Sequence, residues 1–540
     1  MFKKQNLFLL SLLAALLLTL SWYWQLSVLI FFAFVPLFVI ENELFSNPLI
    51  KKPKLKLIGY SYLIFLLWNV GDTWWVQYAS LSGAIVAFVM NALLMTIVFT
   101  FYSTLKNTTI TNRIIKRWGV WLLLPVWIAF EHIHTLWDIT WPWLTLGNVF
   151  AFNHNWVQWY EFTGTSGGTL WVLATNILIF NFIITNSLNK WRLVIKIAVI
   201  IIFPILISYI IFFTRHSVKT EGEDYSCVIV QPNIDPYNDK FNSDYQPQFL
   251  KALYLLKGKI NSGTKYLVLP ETFITENLNE ELISEAFPVK WFRDSLLSKF
   301  PNLQIIVGCN SYTFYKNAHE ASVTARKDDE TGMYYDVFNT ALQITTNTVQ
   351  VYHKSKLVPG VERMPFPALL KPLEGLAIDM GGTFGSLGIQ AERSVFSSDS
   401  NSIKIAPVIC YESIYADFVT EYIRKGANFI FIITNDGWWQ NTPGYKQHLN
   451  YARLRAIENR RQIVRCANTG ISCFIDEYGN TTQETNYWEA AVIEQHIYPK
   501  NSLTFFTRFG DLISYTCLFV SCLLVLWRII FLFKFKKGKY

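Results

Sequence analysis

Eight apolar runs bracket one long polar stretch, and this layout limits the chain more than any other feature. Runs near 6–23, 25–42, 58–77, 82–103, 119–135, 168–187 and 193–214 precede the polar stretch, and one near 511–533 follows it. Each approaches the roughly 20 apolar residues that a bilayer-spanning helix requires. With 16% charged and 52% hydrophobic residues, the chain falls well below the roughly 25% charge of soluble domains. Its 42 Phe, 27 Tyr and 20 Trp also exclude disorder. A cleaved leader at the start is not expected, because Trp22, Tyr23 and Trp24 stand where small residues would mark a cleavage site.

The net charge of +8 separates by segment. Residues 219–509 carry a net −4, whereas the apolar remainder carries +12. The surplus therefore marks membrane orientation, and a basic stripe for nucleic acid is excluded. Lys3 and Lys4 open the chain, and Lys51, Lys52, Lys54 and Lys56 lie between the second and third runs. Arg113, Lys116 and Arg117 follow the fourth, Lys190 and Arg192 the sixth, and Lys534, Lys536, Lys537 and Lys539 the last. With about eight spans all these clusters share one side. Both termini are then expected in the cytoplasm and 219–509 outside it. The expected organisation is a seven-helix membrane domain over 1–218, an exterior domain over 219–509, and a last helix with a cytoplasmic tail over 510–540.

The segment 136–167 has no Lys or Arg but holds Trp137, Trp141, Trp143, Trp156 and Trp159, with Pro142 and Gly147. Aromatic rings favour the membrane–water boundary. The segment reads either as an interfacial belt or as a loop shaping access for lipid, with Trp143 and Gly147 as candidate rim residues.

From residue 226 the pattern changes to short apolar runs between helical stretches. Cys227–Val230, Tyr266–Leu269, Gln304–Val307, Val349–Tyr352, Ile403–Ile409 and Phe429–Thr434 read as buried strands. Helical patterns fall near 246–260, 280–299, 413–425 and 446–461, so the exterior domain is expected to be α/β. None of the seven cysteines forms a CxxC pair, and a zinc or thioredoxin-like site has no support. Pairing of Cys466 with Cys473 stays open.

Three strand ends carry reactive side chains. Cys410 ends IKIAPVIC, directly before a helical pattern whose N-terminus would favour a thiolate. Glu271 ends YLVLPE, and Lys354 ends a third strand within YHKSKLVPGVE. Each alone reads as ordinary: a buried thiol, a capping acid, a solvated lysine. Together at the carboxyl ends of buried strands they supply a nucleophile, a general base and an oxyanion stabiliser, which suffices for acyl transfer.

PET around Glu271, KxxLVPxxxE from Lys354 to Glu362, and CYES from Cys410 resemble the Glu-Lys-Cys signature of the nitrilase superfamily. Seven apolar runs before such a domain and one after it resemble the bacterial apolipoprotein N-acyltransferase family. Gln231-Pro232-Asn233-Ile234, Pro142-Trp143-Leu144, Thr434-Asn435-Asp436-Gly437-Trp438 and the run ARLRAIENRR at 452–461 also match. The resemblance implies an α-β-β-α sandwich on a bundle of about eight transmembrane helices. It also implies Glu271 as base, Lys354 as oxyanion partner and Cys410 as nucleophile. Glu362, Tyr411 and Glu412 are implied as supports, and Phe241, Trp438 and Trp439 as further lipid-rim candidates. The expected partners are a phospholipid acyl donor and a diacylglyceryl apolipoprotein acceptor at a bacterial inner membrane, with the catalytic domain periplasmic. No cofactor, metal or nucleic acid is expected, and a monomer is. The chain departs from the family pattern in reading LVPGVE where LVPFGE is usual, and Phe241 where a Trp is usual.

Two other readings of the chemistry are a membrane-tethered amidase that uses water, and a transporter or scaffold without catalysis. Transport is disfavoured because the apolar runs hold few ionisable residues, mainly Asp72 and Glu131. Gly164-Thr165-Ser166-Gly167-Gly168 fits GxSxG, but it opens an apolar run, so close helix packing explains it better than a serine elbow. His353 and His448 are lone histidines in polar segments and are not expected to catalyse.

Overall fold

The computed structural model describes residues 6–23, 26–109, 118–184, 190–216, 223–240, 246–370, 386–397 and 403–537. Phe241 and the Arg113, Lys116, Arg117 cluster lie outside the described residues. The chain forms two compact units. One comprises Met1–Trp74, Ala84–Arg215 and Phe509–Tyr540; the other comprises Trp75–Gly83 and His216–Arg508.

The first unit is helical. Its helical segments run over Leu7–Trp22, Ser27–Ser46, Pro53–Thr73, Leu81–Thr109, Gly119–Ile133, Tyr160–Ile184, Lys190–His216 and Leu512–Lys537. Among the described residues, five are long and apolar enough to cross a membrane: those beginning at Ser27, Leu81, Tyr160, Val194 and Leu512. Leu7–Trp22 and Gly119–Ile133 are apolar but shorter. Pro53–Thr73 begins with Lys54 and Lys56 and ends beside Asp72. Polar groups inside the unit are more numerous than the sequence suggested. Glu41 is fully buried and ion-paired with Lys106, and it also accepts hydrogen bonds from Ser103 (3.0 Å) and Asn107 (2.5 Å). Such a buried pair persists only when its remaining lone pairs are also satisfied.

The segment 136–167 is a series of short turns up to the start of the Tyr160–Ile184 helix, and four of its five Trp are partly buried. Glu131 accepts hydrogen bonds from Trp127 Nε1 (3.0 Å), the Leu146 amide (2.9 Å) and Thr169 Oγ1 (2.6 Å), tying the segment to two helices. Trp143 is fully buried and stacks on Trp141 at 5.5 Å. A Cβ on Gly147 would lie 2.0 Å from the Thr165 carbonyl oxygen, and one on Gly168 1.8 Å from the Tyr160 hydroxyl. The small residues of the GxSxG stretch therefore serve close packing.

The second unit is built on two sheets. Its strands are β1 (Tyr225–Gln231), β2 (Thr264–Val268), β3 (Ile274–Asn279), β4 (Gln304–Tyr315), β5 (Arg326–Lys327), β6 (Tyr334–Ile344) and β7 (Val349–His353). There follow β8 (Phe396–Ser397), β9 (Lys404–Ile409), β10 (Phe429–Thr434), β11 (Ile463–Ala467), β12 (Cys473–Ile475), β13 (Thr481–Thr482) and β14 (Ala491–Ile497). The first sheet runs β14-β1-β2-β4-β6-β5, with β3 on β4 and β7 on β6. The second runs β13-β12-β11-β10-β9-β8. Both have parallel centres: β1, β2 and β4 in one, β9, β10 and β11 in the other.

Side-chain alternation sorts the layers. On β1, Val228 and Val230 join Phe249, Ala252 and Leu256 of the helix Gln246–Leu256, while Cys227 and Ile229 point the other way. Across the sheets, Tyr266 meets Phe431 edge-on at 5.4 Å. The Cys466 thiol donates to the Val230 and Val268 carbonyls at 3.3 and 3.4 Å. The result is helix, sheet, sheet, helix. The single helix expected over 280–299 is instead three short turns, Glu280–Glu285, Phe287–Phe292 and Arg293–Leu297. Pro288 lacks an N–H and fits only the first turn of a helix, so it forces a restart there. All seven cysteines are free thiols, Cys466 and Cys473 included.

Candidate active site

Glu271 leaves β2 through Pro270, and Thr272 behind it takes a left-handed backbone (φ 48°). The Glu271 backbone presses directly on β4, where a Cβ at Gly308 would sit 2.6 Å from Glu271 Cα. Only glycine admits that approach. The carboxylate is almost fully buried, and Oε1 accepts hydrogen bonds from Lys354 Nζ (3.0 Å) and Asn339 Nδ2 (2.8 Å).

Lys354 follows β7, its amide bonded to the Asn339 carbonyl of β6 at 2.8 Å. Its Nζ also donates to Glu362 Oε1 at 2.7 Å. Asn339 Nδ2 reaches the same Glu362 oxygen at 3.1 Å. Glu362 is set in place by a tight turn: Gly360 adopts φ 76°, and the Val358 amide donates to Glu362 Oε2 at 2.8 Å. The LVPGVE departure thus supplies the glycine that this left-handed position favours.

Cys410 follows β9 and opens the turn Cys410–Ile414 with φ 48°, a conformation costing a non-glycine residue roughly 1–3 kcal/mol. Glu412, two residues on, is fully buried and accepts from Tyr352 OH (2.6 Å), the Ser355 amide (2.6 Å) and the Ile409 amide (2.8 Å). It thereby links the residue after Lys354 to the residue before Cys410. Tyr411 is buried edge-on against Tyr415 at 5.3 Å.

The charges follow from this packing. Burial opposes the Lys354 charge, but Glu271 and Glu362 hold the ammonium well above its usual range. Burial likewise opposes the Glu271 charge, and Lys354, Asn339 and Lys240 outweigh it, so the carboxyl lies below its usual range. Burial and then Glu271 push the Cys410 thiol up, against Lys354. The resting site is a carboxylate, an ammonium and a neutral thiol within electrostatic reach of one another.

Three members escaped the sequence reading. Asn339 bridges both carboxylates from mid-strand. Lys240, 1% exposed, donates to the Glu271 carbonyl (2.9 Å) and Thr272 Oγ1 (2.7 Å). Burial pulls it down to about 7, against Glu271 and Cys410. His448, dismissed as a lone histidine, lies fully buried with Nε2 3.1 Å from the Cys410 carbonyl oxygen and Nδ1 2.9 Å from Asp436 Oδ1. Cys410, Asp436 and His448 offer ligand atoms within 4.8 Å of one another. Yet Asp436 already accepts from Thr434 (2.8 Å) and Arg465 (2.5 Å), so this is a hydrogen-bonded network whose oxygens are engaged. No residue type in the sequence signals these three, since each is recruited by tertiary contact.

The remaining candidates lie elsewhere. His353 stacks on Phe338 at 4.0 Å and pairs with Glu280 at 2.6 Å. Ser166 bonds Asp511 at 2.6 Å and the Thr163 carbonyl at 3.0 Å, within the first unit. Trp143 and Gly147 are buried within that unit. Trp438 and Trp439 are half-buried, Trp438 against Tyr237 at 5.3 Å and Trp439 against Trp75 at 4.8 Å.

Residues 228–501 match the family model for carbon-nitrogen hydrolases, and residues 14–178 match that for the apolipoprotein N-acyltransferase N-terminal domain. An apolipoprotein N-acyltransferase of Chlorobaculum tepidum is 30% identical over 544 residues, spanning 96% of this chain and 96% of its own. Proteins of the same description from Geobacter metallireducens and Pasteurella multocida are 24% and 26% identical, over 74% and 75% of this chain and 73% and 74% of their own. With both halves matched in order and one relative aligned almost end to end, the chain belongs to the apolipoprotein N-acyltransferase family.

Proposed function

We propose that this protein N-acylates lipoproteins by a two-step transfer at Cys410, with a phospholipid as acyl donor. The convergence of Glu271, Lys354 and Glu362 beside the Cys410 turn carries this reading. In the first step Cys410 Sγ attacks the acyl ester carbon while Glu271 takes the thiol proton. An S–C bond forms, the ester C–O bond breaks, and Glu271 returns the proton to the lysophospholipid alkoxide. In the second step the α-amine of the diacylglyceryl-cysteine attacks the thioester. A C–N bond forms, the C–S bond breaks, and the amine proton passes through Glu271 to the departing sulfur. Lys354 stabilises the oxyanion in both steps.

A neutral thiol opposite a carboxylate suits this chemistry, because proton transfer and attack proceed together and no buried thiolate has to be maintained. Glu362 and Asn339 hold the ammonium and the base in register, and Glu412 holds the two strand ends. The Lys/Arg asymmetry supports eight spans, cytoplasmic termini and a periplasmic second unit in a bacterial inner membrane. Attachment of that unit to apolar helices at both ends keeps it beside substrates whose acyl chains stay in the bilayer. Trp438 and Trp439 remain the lipid-rim candidates, with Phe241. A single chain supplies every residue of the proposed triad, consistent with a monomer.

Incubation with phospholipid and an amine-blocked lipoprotein peptide separates this reading from a water-using amidase. A transferase stops after one lysophospholipid per enzyme and retains the thioester. Continued release of fatty acid would replace the reading with hydrolysis.

A further inference from the structure

The nucleophile turn is held from beneath by a buried charged network that the triad does not include. His448, Asp436 and Arg465 are each fully buried. His448 stands on the helix Pro443–Asn459, Asp436 follows β10, and Arg465 lies on β11, so three elements converge under the end of β9. The imidazole touches residue 410 and its turn at two points: Nε2 lies 3.1 Å from the Cys410 carbonyl oxygen and 2.9 Å from Ser413 Oγ. Ser413 Oγ itself donates to the Cys410 carbonyl at 2.7 Å, closing a small ring of contacts around that oxygen.

The other edge of the ring is clamped. Nδ1 lies 2.9 Å from Asp436 Oδ1, and Asp436 is itself fixed by Thr434 Oγ1 at 2.8 Å and Arg465 Nη2 at 2.5 Å. Burial opposes the Asp436 charge, but Arg465 and then His448 hold its carboxyl down at about 2, so it remains an acceptor. Trp439 covers the ring edge-on, centroid to centroid 5.6 Å. Burying three ionisable groups is poor economy for stability alone, since an apolar core of the same volume would serve as well. What this network touches is the carbonyl of a residue held at φ 48°, which needs outside support to persist.

We propose that His448, clamped by Asp436, is a positioning residue. It fixes the Cys410 carbonyl, and through it the left-handed turn that presents the thiol to Glu271 and Lys354. The proposal rests on Cys410 being the nucleophile.

The test uses the full-length enzyme in detergent micelles, with phospholipid added to start the reaction. It measures alkylation of Cys410 by iodoacetamide with peptide mapping before phospholipid is added, and single-turnover acylation by intact mass afterwards. H448A is expected to slow acylation about 100-fold, the effect of a misplaced reacting group. The phospholipid concentration at half-maximal rate should change less than about 3-fold. Alkylation of Cys410 should fall in parallel. H448Q, whose side-chain amide can still donate to the Cys410 carbonyl, should recover about 10-fold over H448A. D436N should resemble H448A. If H448A does not fold, H448Q and D436N decide by the same split between rate and half-saturation. Wild-type acylation rates in H448A or D436N would overturn the proposal, as would a loss confined to half-saturation. C410A separates the two claims: an acyl adduct persisting in C410A sinks the nucleophile assignment, whatever the His448 variants do.

Discussion

Two carboxylates share one buried ammonium, which makes the consequences of substitution asymmetric. In E271Q the new amide oxygen still accepts from Lys354 and Asn339, so the fold should survive while acylation falls about 100- to 10,000-fold through loss of the base. K354M leaves the buried Glu271 and the partly buried Glu362 without their cation, and thermal denaturation should report a loss of about 3–5 kcal/mol besides lost acylation. An E271Q enzyme with near-normal acylation would remove Glu271 from the chemistry. Glu412 offers a pH test. Burial raises its carboxyl to about 7 despite bonds from Ile409, Tyr352 and Ser355, so between pH 4.5 and 7 the folded protein holds a proton the unfolded chain releases. This residue's contribution is therefore full below about pH 4.5 and is lost as pH rises through about 7. Relative to the wild type, E412Q should show a flatter fall in Tm over that window; identical slopes would refute the assignment. Glu271, Lys354, Glu362 and Cys410 were legible because each ends a strand or follows one within a recognisable string. Asn339, Lys240 and His448 were not, because a mid-strand amide, a loop lysine and a helix histidine acquire meaning only from what the fold places against them.

At the scale of elements, the approach of the β2 exit to β4 is a tight constraint on the site. Replacing Gly308 by Ala would put a methyl 2.6 Å from Glu271 Cα and 2.5 Å from the Thr272 amide nitrogen. Backbone must give way, at about 1–3 kcal/mol. G308A should therefore lose about 100-fold in acylation with a fall in Tm, and unchanged kinetics would show that Glu271 is not set by this contact. The Tyr160–Ile184 helix carries the opposite prediction. Since its GxSxG glycines serve packing, S166A should leave acylation within about 3-fold of wild type while costing about 1 kcal/mol from the lost Asp511 bond. The runs of Val, Ile and Leu in β1, β2, β4, β9 and β10 were readable as buried strands. The eleven residues of β6 were not, because Asp336, Asn339, Thr340 and Gln343 interrupt them. Those four are buried nonetheless, Asp336 taking bonds from Thr324 and Tyr315, and Gln343 bonding Gln304. Buried polar residues on a strand imitate a loop in any reading based on hydropathy.

For the whole molecule, the order of apolar runs and the placement of Lys and Arg carried the two-part organisation. The run lengths were less informative, because Leu7–Trp22 and Gly119–Ile133 are short and Pro53–Thr73 carries charge at both ends. The proposed orientation predicts that protease added to intact spheroplasts digests 219–509 while the lysine-rich segment 51–56 resists an impermeant amine reagent until the membrane is opened. Labelling of 51–56 in sealed cells would reverse the topology. The central claim is that an acid, a cation and a sulfur from three separate strands form one acyl-transfer centre. Its most direct test is the intact mass of the purified enzyme after exposure to phospholipid alone, with peptide mapping of any adduct. The account predicts one acyl chain, removable by hydroxylamine, on Cys410 and none in E271Q at early times. An unmodified enzyme, or an acyl chain on another residue, would contradict it.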